Sequence, residues 1–193
     1  MAVDDSVGEL VDTLEERNIR ANTVIIFVSD NGVSMGENGI FGKNCGYDPC
    51  VHTPLVISYP PLTAAARIDD EFALNIDIAP TIMDLAGLDI PSSVDGQSLM
   101  PLLENPSIGW RDGFMIEHYQ DKGDVEESGL AAIIPGYSAY RTKEWKYIEY
   151  DTGERELYDL INDPYEMNNL IDEPGYEETI FSLQSHLKEL KSP

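Results

Sequence analysis

The stretch Thr23-Val24-Ile25-Ile26-Phe27-Val28-Ser29-Asp30-Asn31-Gly32 decides how the chain is read. Six consecutive β-branched or aromatic residues end in a polar turn. An unbroken apolar run of this length predicts a strand buried on both faces, as in a parallel sheet covered by helices. Upstream, Val3, Val7, Leu10, Val11 and Leu14 recur at helical spacing over 3–17, with Asp4 and Asp5 suited to the positive end of the helix. Downstream, a glycine-containing loop over about 32–53 leads to Pro54-Leu55-Val56-Ile57-Ser58-Tyr59, a second buried strand stopped by Pro60-Pro61. Pro80 suits the first turn of a helix running to Ala86, with Gly87 as its stop. Helix, strand, strand and helix in this order predict a piece of an α/β sandwich. Two parallel strands make no stable sheet alone, so this region reads as the end of a larger sheet.

The pattern changes near Pro106. Residues 114–119, 137–142, 145–150 and 156–160 are short, aromatic-rich and separated by turn residues, among them Thr152-Gly153. They predict a small antiparallel sheet. Residues 176–190 form an amphipathic helix with Ile180, Leu183, Leu187 and Leu190 on one side. The expected organisation is therefore 1–106 as part of an α/β domain and 107–193 as a small α+β subdomain.

Composition narrows the function classes. With 12 Lys+Arg against 36 Asp+Glu the net charge is −24, a surface that repels phosphate backbones and anionic headgroups. Nucleic acid and membrane are not expected as partners. No apolar run reaches the roughly 18–20 residues of a membrane span. Met1-Ala2-Val3-Asp4-Asp5 has no signal-peptide character, which sets a cytoplasmic expectation for the chain as it stands. Cys45 and Cys50 flank Gly46-Tyr47-Asp48-Pro49 and are open to two states, a local bridge or a pair of free thiols.

The candidate chemistry sits at the end of the first strand. Asp30 and Asn31 offer a carboxylate and an amide oxygen, hard ligands of the kind that hold Ca²⁺ or Mg²⁺. Two ligands are too few, since calcium takes about six to eight oxygens. The bare Asp-Asn-Gly tripeptide is also a good turn. Lys43, in Gly39-Ile40-Phe41-Gly42-Lys43, is an oxyanion candidate or an exposed loop lysine. His52, before Thr53-Pro54, could face the same edge or be structural; His118 in a strand reads as structural, and His186 as exposed on the last helix. There is no nucleophile elbow and no phosphate-binding glycine loop. The acidic tracts 69–71, 126–127 and 177–178 read as solvated faces.

Taken in order, these segments resemble the C-terminal half of the type I, formylglycine-dependent sulfatases of the alkaline-phosphatase superfamily. The resemblance rests on Ser29-Asp30-Asn31-Gly32, Gly36-Glu37-Asn38-Gly39 and Gly42-Lys43. It continues through Asn75-Ile76-Asp77-Ile78-Ala79-Pro80-Thr81, Asp95-Gly96-Gln97-Ser98-Leu99, Trp145-Lys146-Tyr147 and Glu156-Leu157-Tyr158-Asp159-Leu160, and ends in Asp163-Pro164-Tyr165-Glu166. It implies an alkaline-phosphatase-like α/β/α sandwich, followed by a small antiparallel sheet packed with a C-terminal helix. It implies further that Asp30 and Asn31 are two ligands of a divalent cation, usually Ca²⁺, and that Lys43 neutralises sulfate oxygens. The substrate implied is a sulfated small molecule or glycan.

The departures are informative. The formylglycine motif Cys-x-Pro-x-Arg is absent, because Cys45 is followed by Gly46-Tyr47 and Cys50 by Val51-His52. Asn38 stands where the family often has histidine, and His52 where arginine is frequent. The chain is expected to be inactive alone, with the nucleophile and the other metal carboxylates in an N-terminal half. Full-length relatives are often exported. Two alternatives remain, a phosphodiesterase or phosphonate hydrolase of the same superfamily, and a non-catalytic interaction module.

Overall fold

A computed structural model describes residues 2–63, 65–120 and 134–191. The acidic pair at 126–127 lies outside the described residues. The chain is mixed α/β and divides into two compact units, 1–30 with 54–110, and 31–53 with 111–193. The segment 31–53, expected as a loop of the first region, thus groups with the C-terminal residues.

In the first unit, α1 (Ala2–Glu16) carries Asp4 and Asp5 in its first turn and buries none of its residues. Strand β1 (Ile25–Val28) pairs with β4 (Leu55–Ser58), Ile25 opposite Ser58 and Val28 opposite Leu55. The pairing is antiparallel, which corrects the expectation of a parallel sheet. Apolar runs report burial and not strand direction, so the sequence could not choose between the two. Nor are the strands buried on both faces, since Phe27, Val28 and Val56 stay 38%, 40% and 56% exposed.

The first unit is held together at Asp77. Its buried carboxylate accepts from Leu74 N at 2.8 Å and Gln97 N at 3.0 Å. Thr81 Oγ1 donates to Asp77 O at 2.6 Å and accepts from Leu99 N at 2.8 Å. Two segments singled out in the sequence, 75–81 and 95–99, therefore meet here. Gly96 is required, because a Cβ there would stand 2.0 Å from Ile76 O. Helix α3 (Ile78–Leu85) follows, Gly87 terminates it at φ 68°, a conformation glycine adopts without a Cβ clash, and the short helix α4 (Met100–Glu104) comes next.

In the second unit, β2 (Ser34–Met35) and β3 (Phe41–Gly42) form a short hairpin, and α2 (Asp48–Val51) is a single turn. Strands β5 (Gly113–His118), β6 (Tyr137–Thr142), β7 (Trp145–Tyr150) and β8 (Arg155–Asp159) form an antiparallel meander in sequence order. Gly153, at φ 101°, turns β7 into β8. Helix α5 (Glu177–Leu190) covers one face, its Leu183 and Leu187 packing on Tyr140, Tyr147 and Leu157. The opposite face is covered by Cys45, Tyr47 and Cys50, which pack on Tyr137, Ala139, Ile148 and Tyr158. The sheet is thus apolar on both sides. The two-residue period of a strand then carries the odd-numbered residues of β6 and the even-numbered ones of β7 and β8 to the side of residues 45–50.

Candidate functional site

Asp30 closes the first unit and Asn31 opens the second. Asp30 is exposed and Asn31 half-buried. Asn31 Nδ2 donates to Gly32 O at 2.8 Å. Gly32 N donates to Cys50 O, also at 2.8 Å. The turn after Asn31 lies so close to α2 that a Cβ on Gly32 would meet Pro49 O at 2.1 Å. Both candidate ligands supply hard oxygen, which suits a calcium or magnesium ion. Among the described residues no three His, Cys, Asp or Glu side chains converge on a common point. The chain therefore offers a pair of ligand-type residues and no complete cage among those described.

The β2–β3 hairpin carries the second element. Ser34 is buried, and its hydroxyl lies 2.9 Å from both Glu37 O and Ile40 O. Glu37 accepts from Met35 N at 2.5 Å; backbone and Ser34 hydrogen bonds hold its carboxyl below the usual range. Asn38 adopts φ 54°, tolerable for an asparagine, and its Nδ2 reaches Glu166 O at 2.8 Å and Tyr165 O at 3.1 Å. Asn38, a departure from the family pattern, thus ties the hairpin to residues 165–166. Lys43 follows β3, is exposed, and has no ion pair among the described residues.

His52 ends the α2 turn, its N–H donating to Asp48 O at 2.8 Å. Its exposed ring lines an open groove of about 910 Å³ together with Asn38, Asp48, Tyr165 and Met167. His118 sits at the end of β5 beside the Tyr137 ring. His186 is exposed as expected, yet its ring stacks on Tyr140 with centroids 5.4 Å apart. The state of the cysteines is a disulfide, Cys45–Cys50, with both residues buried. Neither sulfur is therefore a thiol nucleophile.

Sequence reasoning missed the charged group under this region. Lys146, fully buried on β7, places Nζ 2.6 Å from Asp48 Oδ1 and 2.5 Å from Glu166 Oε1. Arg141 on β6 reaches Asp48 Oδ2 at 2.9 Å, and Asp48 N donates to Glu166 Oε2 at 2.7 Å. Glu166 itself sits at φ 55°, a strained backbone held by these contacts. Burial opposes the charge on Asp48, but Arg141 and Lys146 outweigh it and hold the carboxyl well below its usual range. Burial raises Glu166, with Lys146 opposing the rise. The available signal was a lysine between Trp145 and Tyr147, in a chain with 12 Lys+Arg.

Known proteins place this architecture. A solved complex with its substrate D-glucosamine-2-N,6-O-disulfate is similar with TM-score 0.87 and 34% identity, over 98% of this chain and 38% of that one. The phosphonate monoester hydrolase of Agrobacterium radiobacter has TM-score 0.85 and 32% identity, over 97% and 38%. In sequence, the N-acetylglucosamine-6-O-sulfatase of Bacteroides thetaiotaomicron is 34% identical over 194 residues, covering 98% of this chain and 34% of that protein. The arylsulfatase of Clostridium perfringens is 33% identical, covering 98% and 38%. Residues 36–193 match the family described as N-sulphoglucosamine sulphohydrolase, C-terminal, and the chain belongs to the sulfatase family as a C-terminal part. It spans about a third of the length of the curated relatives it matches.

Two outcomes follow from the charged group. Lys146→Met leaves Asp48 and Glu166 without the buried ammonium and is expected to cost about 3–5 kcal/mol in urea unfolding; a loss below about 1 kcal/mol contradicts this account. Asp48 is lowered from its ordinary 3.8, so its contribution is complete above about pH 4 and is lost as the pH falls below that. Glu166 runs the other way, since a raised carboxyl loses stability as the pH rises above its ordinary 4.5. Acid unfolding followed by circular dichroism is expected to show a shallower loss below about pH 4 for Asp48→Asn than for the wild type.

Proposed function

We propose that the chain is the C-terminal part of a formylglycine-dependent sulfatase and supplies part of its metal and sulfate site. The observation that carries this reading is the family match over 36–193, supported by a relative 34% identical over 98% of the chain; the roles of Asp30, Asn31 and Lys43 are those the resemblance implies. In this reading Asp30 and Asn31 hold a Ca²⁺ or Mg²⁺ ion through carboxylate and amide oxygens. The ion, when bound, polarises the sulfate oxygens. The Lys43 ammonium neutralises charge on the sulfate as it builds in the transition state. His52, in the groove wall, contacts the remainder of the ester. The nucleophile and further carboxylates come from outside the third of the relatives' length that the chain spans. The apolar exposure of Phe27, Val28 and Val56 supports completion of that sheet by additional chain.

A sulfated glycan is the proposed substrate class, supported by the glucosamine disulfate bound to the similar structure and by the N-acetylglucosamine-6-O-sulfatase relative. A phosphonate or phosphodiester substrate is the second reading, favoured by the Agrobacterium hydrolase. The buried Cys45–Cys50 bridge supports a reading in which the chain works in an oxidising compartment, as the exported relatives implied by the resemblance do. No helix among the described residues is long and apolar enough to cross a membrane.

The pure chain is expected to release no 4-nitrophenol from 4-nitrophenyl sulfate, and to bind calcium no tighter than about 1 mM by calorimetry, as befits two ligands of six or more. Turnover by the chain alone overturns its reading as a partial site. Micromolar calcium binding favours a self-sufficient binding module.

A further inference from the structure

The Cys45–Cys50 bridge lies against both loops that carry the candidate residues of the second unit. Cys50 O accepts the Gly32 N–H at 2.8 Å, one residue after Asn31. Cys50 Sγ lies 3.5 Å from Gly42 O, one residue before Lys43. A bridged sulfur carries no proton, so this is a packing contact and not a hydrogen bond. His52 follows Cys50 by a single intervening residue, Val51. Cys45 and Cys50 are 1% and 2% exposed and pack on Tyr137, Ala139 and Ile148 of the β6–β7 pair.

From this juxtaposition we infer that the Cys45–Cys50 disulfide is a positioning staple for Asn31, Lys43 and His52. It fixes the turn 45–50 to the four-stranded sheet, and the turn in turn fixes the backbone next to each candidate residue. The inference rests on the sulfatase reading for what those residues do, but not for how they are held. The bridge closes a six-residue ring, so it removes little entropy from the unfolded chain compared with a long loop. Its main effect is therefore local. The ion pairs of Asp48 with Lys146 and Arg141 anchor the same ring independently, so the fold retains an anchor when the bridge is lost.

Hydrogen–deuterium exchange on the full chain, read by NMR, separates this role from a global one. In Cys45→Ser/Cys50→Ser, and in the apolar pair Cys45→Ala/Cys50→Val, the Gly32 amide is expected to exchange at least about tenfold faster than in the wild type. Amides of Tyr140 and Tyr147 in the sheet should hold within about twofold. Unchanged Gly32 protection in a folded variant overturns the inference. So does loss of sheet protection in both variants, which makes the bridge a requirement of the whole fold. A sulfate titration of the same samples reads the function separately. A wild-type Lys43 amide that ignores sulfate counts against the sulfatase role while leaving the Gly32 result intact. A wild-type response that the variants weaken several-fold supports both.

Discussion

One ammonium group organises the second unit. Lys146 is wholly buried, and its charge is met by Asp48 on one side and Glu166 on the other. Burying an unpaired ammonium is prohibitive, so β7 can keep this residue only if both carboxylates stay in place. Asp48 belongs to the α2 turn and Glu166 to the turn beyond β8. The requirement to neutralise one lysine thus pins two irregular segments to a regular sheet. Hydrophobic burial alone would leave them free to slide, because it has no direction.

The candidate site hangs from these segments. Glu166 presents its carbonyl to Asn38, which carries the β2–β3 hairpin and, at its end, Lys43. Cys50, in the α2 turn, receives the amide after Asn31. The loops that hold Asn31, Lys43 and His52 are short of regular structure, and the sheet lends them the rigidity they lack. Functional groups on loops fixed by a rigid scaffold are a common arrangement in enzymes. A net charge of −24 would admit the proposed sulfate ester only through local attraction, which is the part proposed for Lys43 and a cation.

Much of this was legible in the sequence. Strands β6 and β7 fall at 137–142 and 145–150 as their alternation and turn residues predict, and α5 follows its Leu183 and Leu187 period. The ordered motifs gave the family. What escaped had physical reasons. The direction of β1 against β4 is not encoded in apolar content. Lys146 read as an ordinary polar strand residue, because its burial depends on residues 45–50 returning over the sheet about a hundred positions away in sequence. The bridge between Cys45 and Cys50 was one of two open states, since spacing does not set oxidation. Asp48, in a turn-like Gly-Tyr-Asp-Pro, carried no sign of its two cationic partners.

Lys43 is the proposed sulfate contact of a completed enzyme. The direct measurement joins this chain to the formylglycine-bearing N-terminal part of a sulfatase relative. Hydrolysis of a 6-sulfated glucosamine and of a phosphonate monoester is then followed with and without Lys43→Ala. Faster turnover of the sulfate ester is expected, with kcat/KM falling about 100-fold or more on loss of the lysine, the scale of a lost oxyanion donor. Undiminished sulfate hydrolysis by the Lys43→Ala protein would contradict that role.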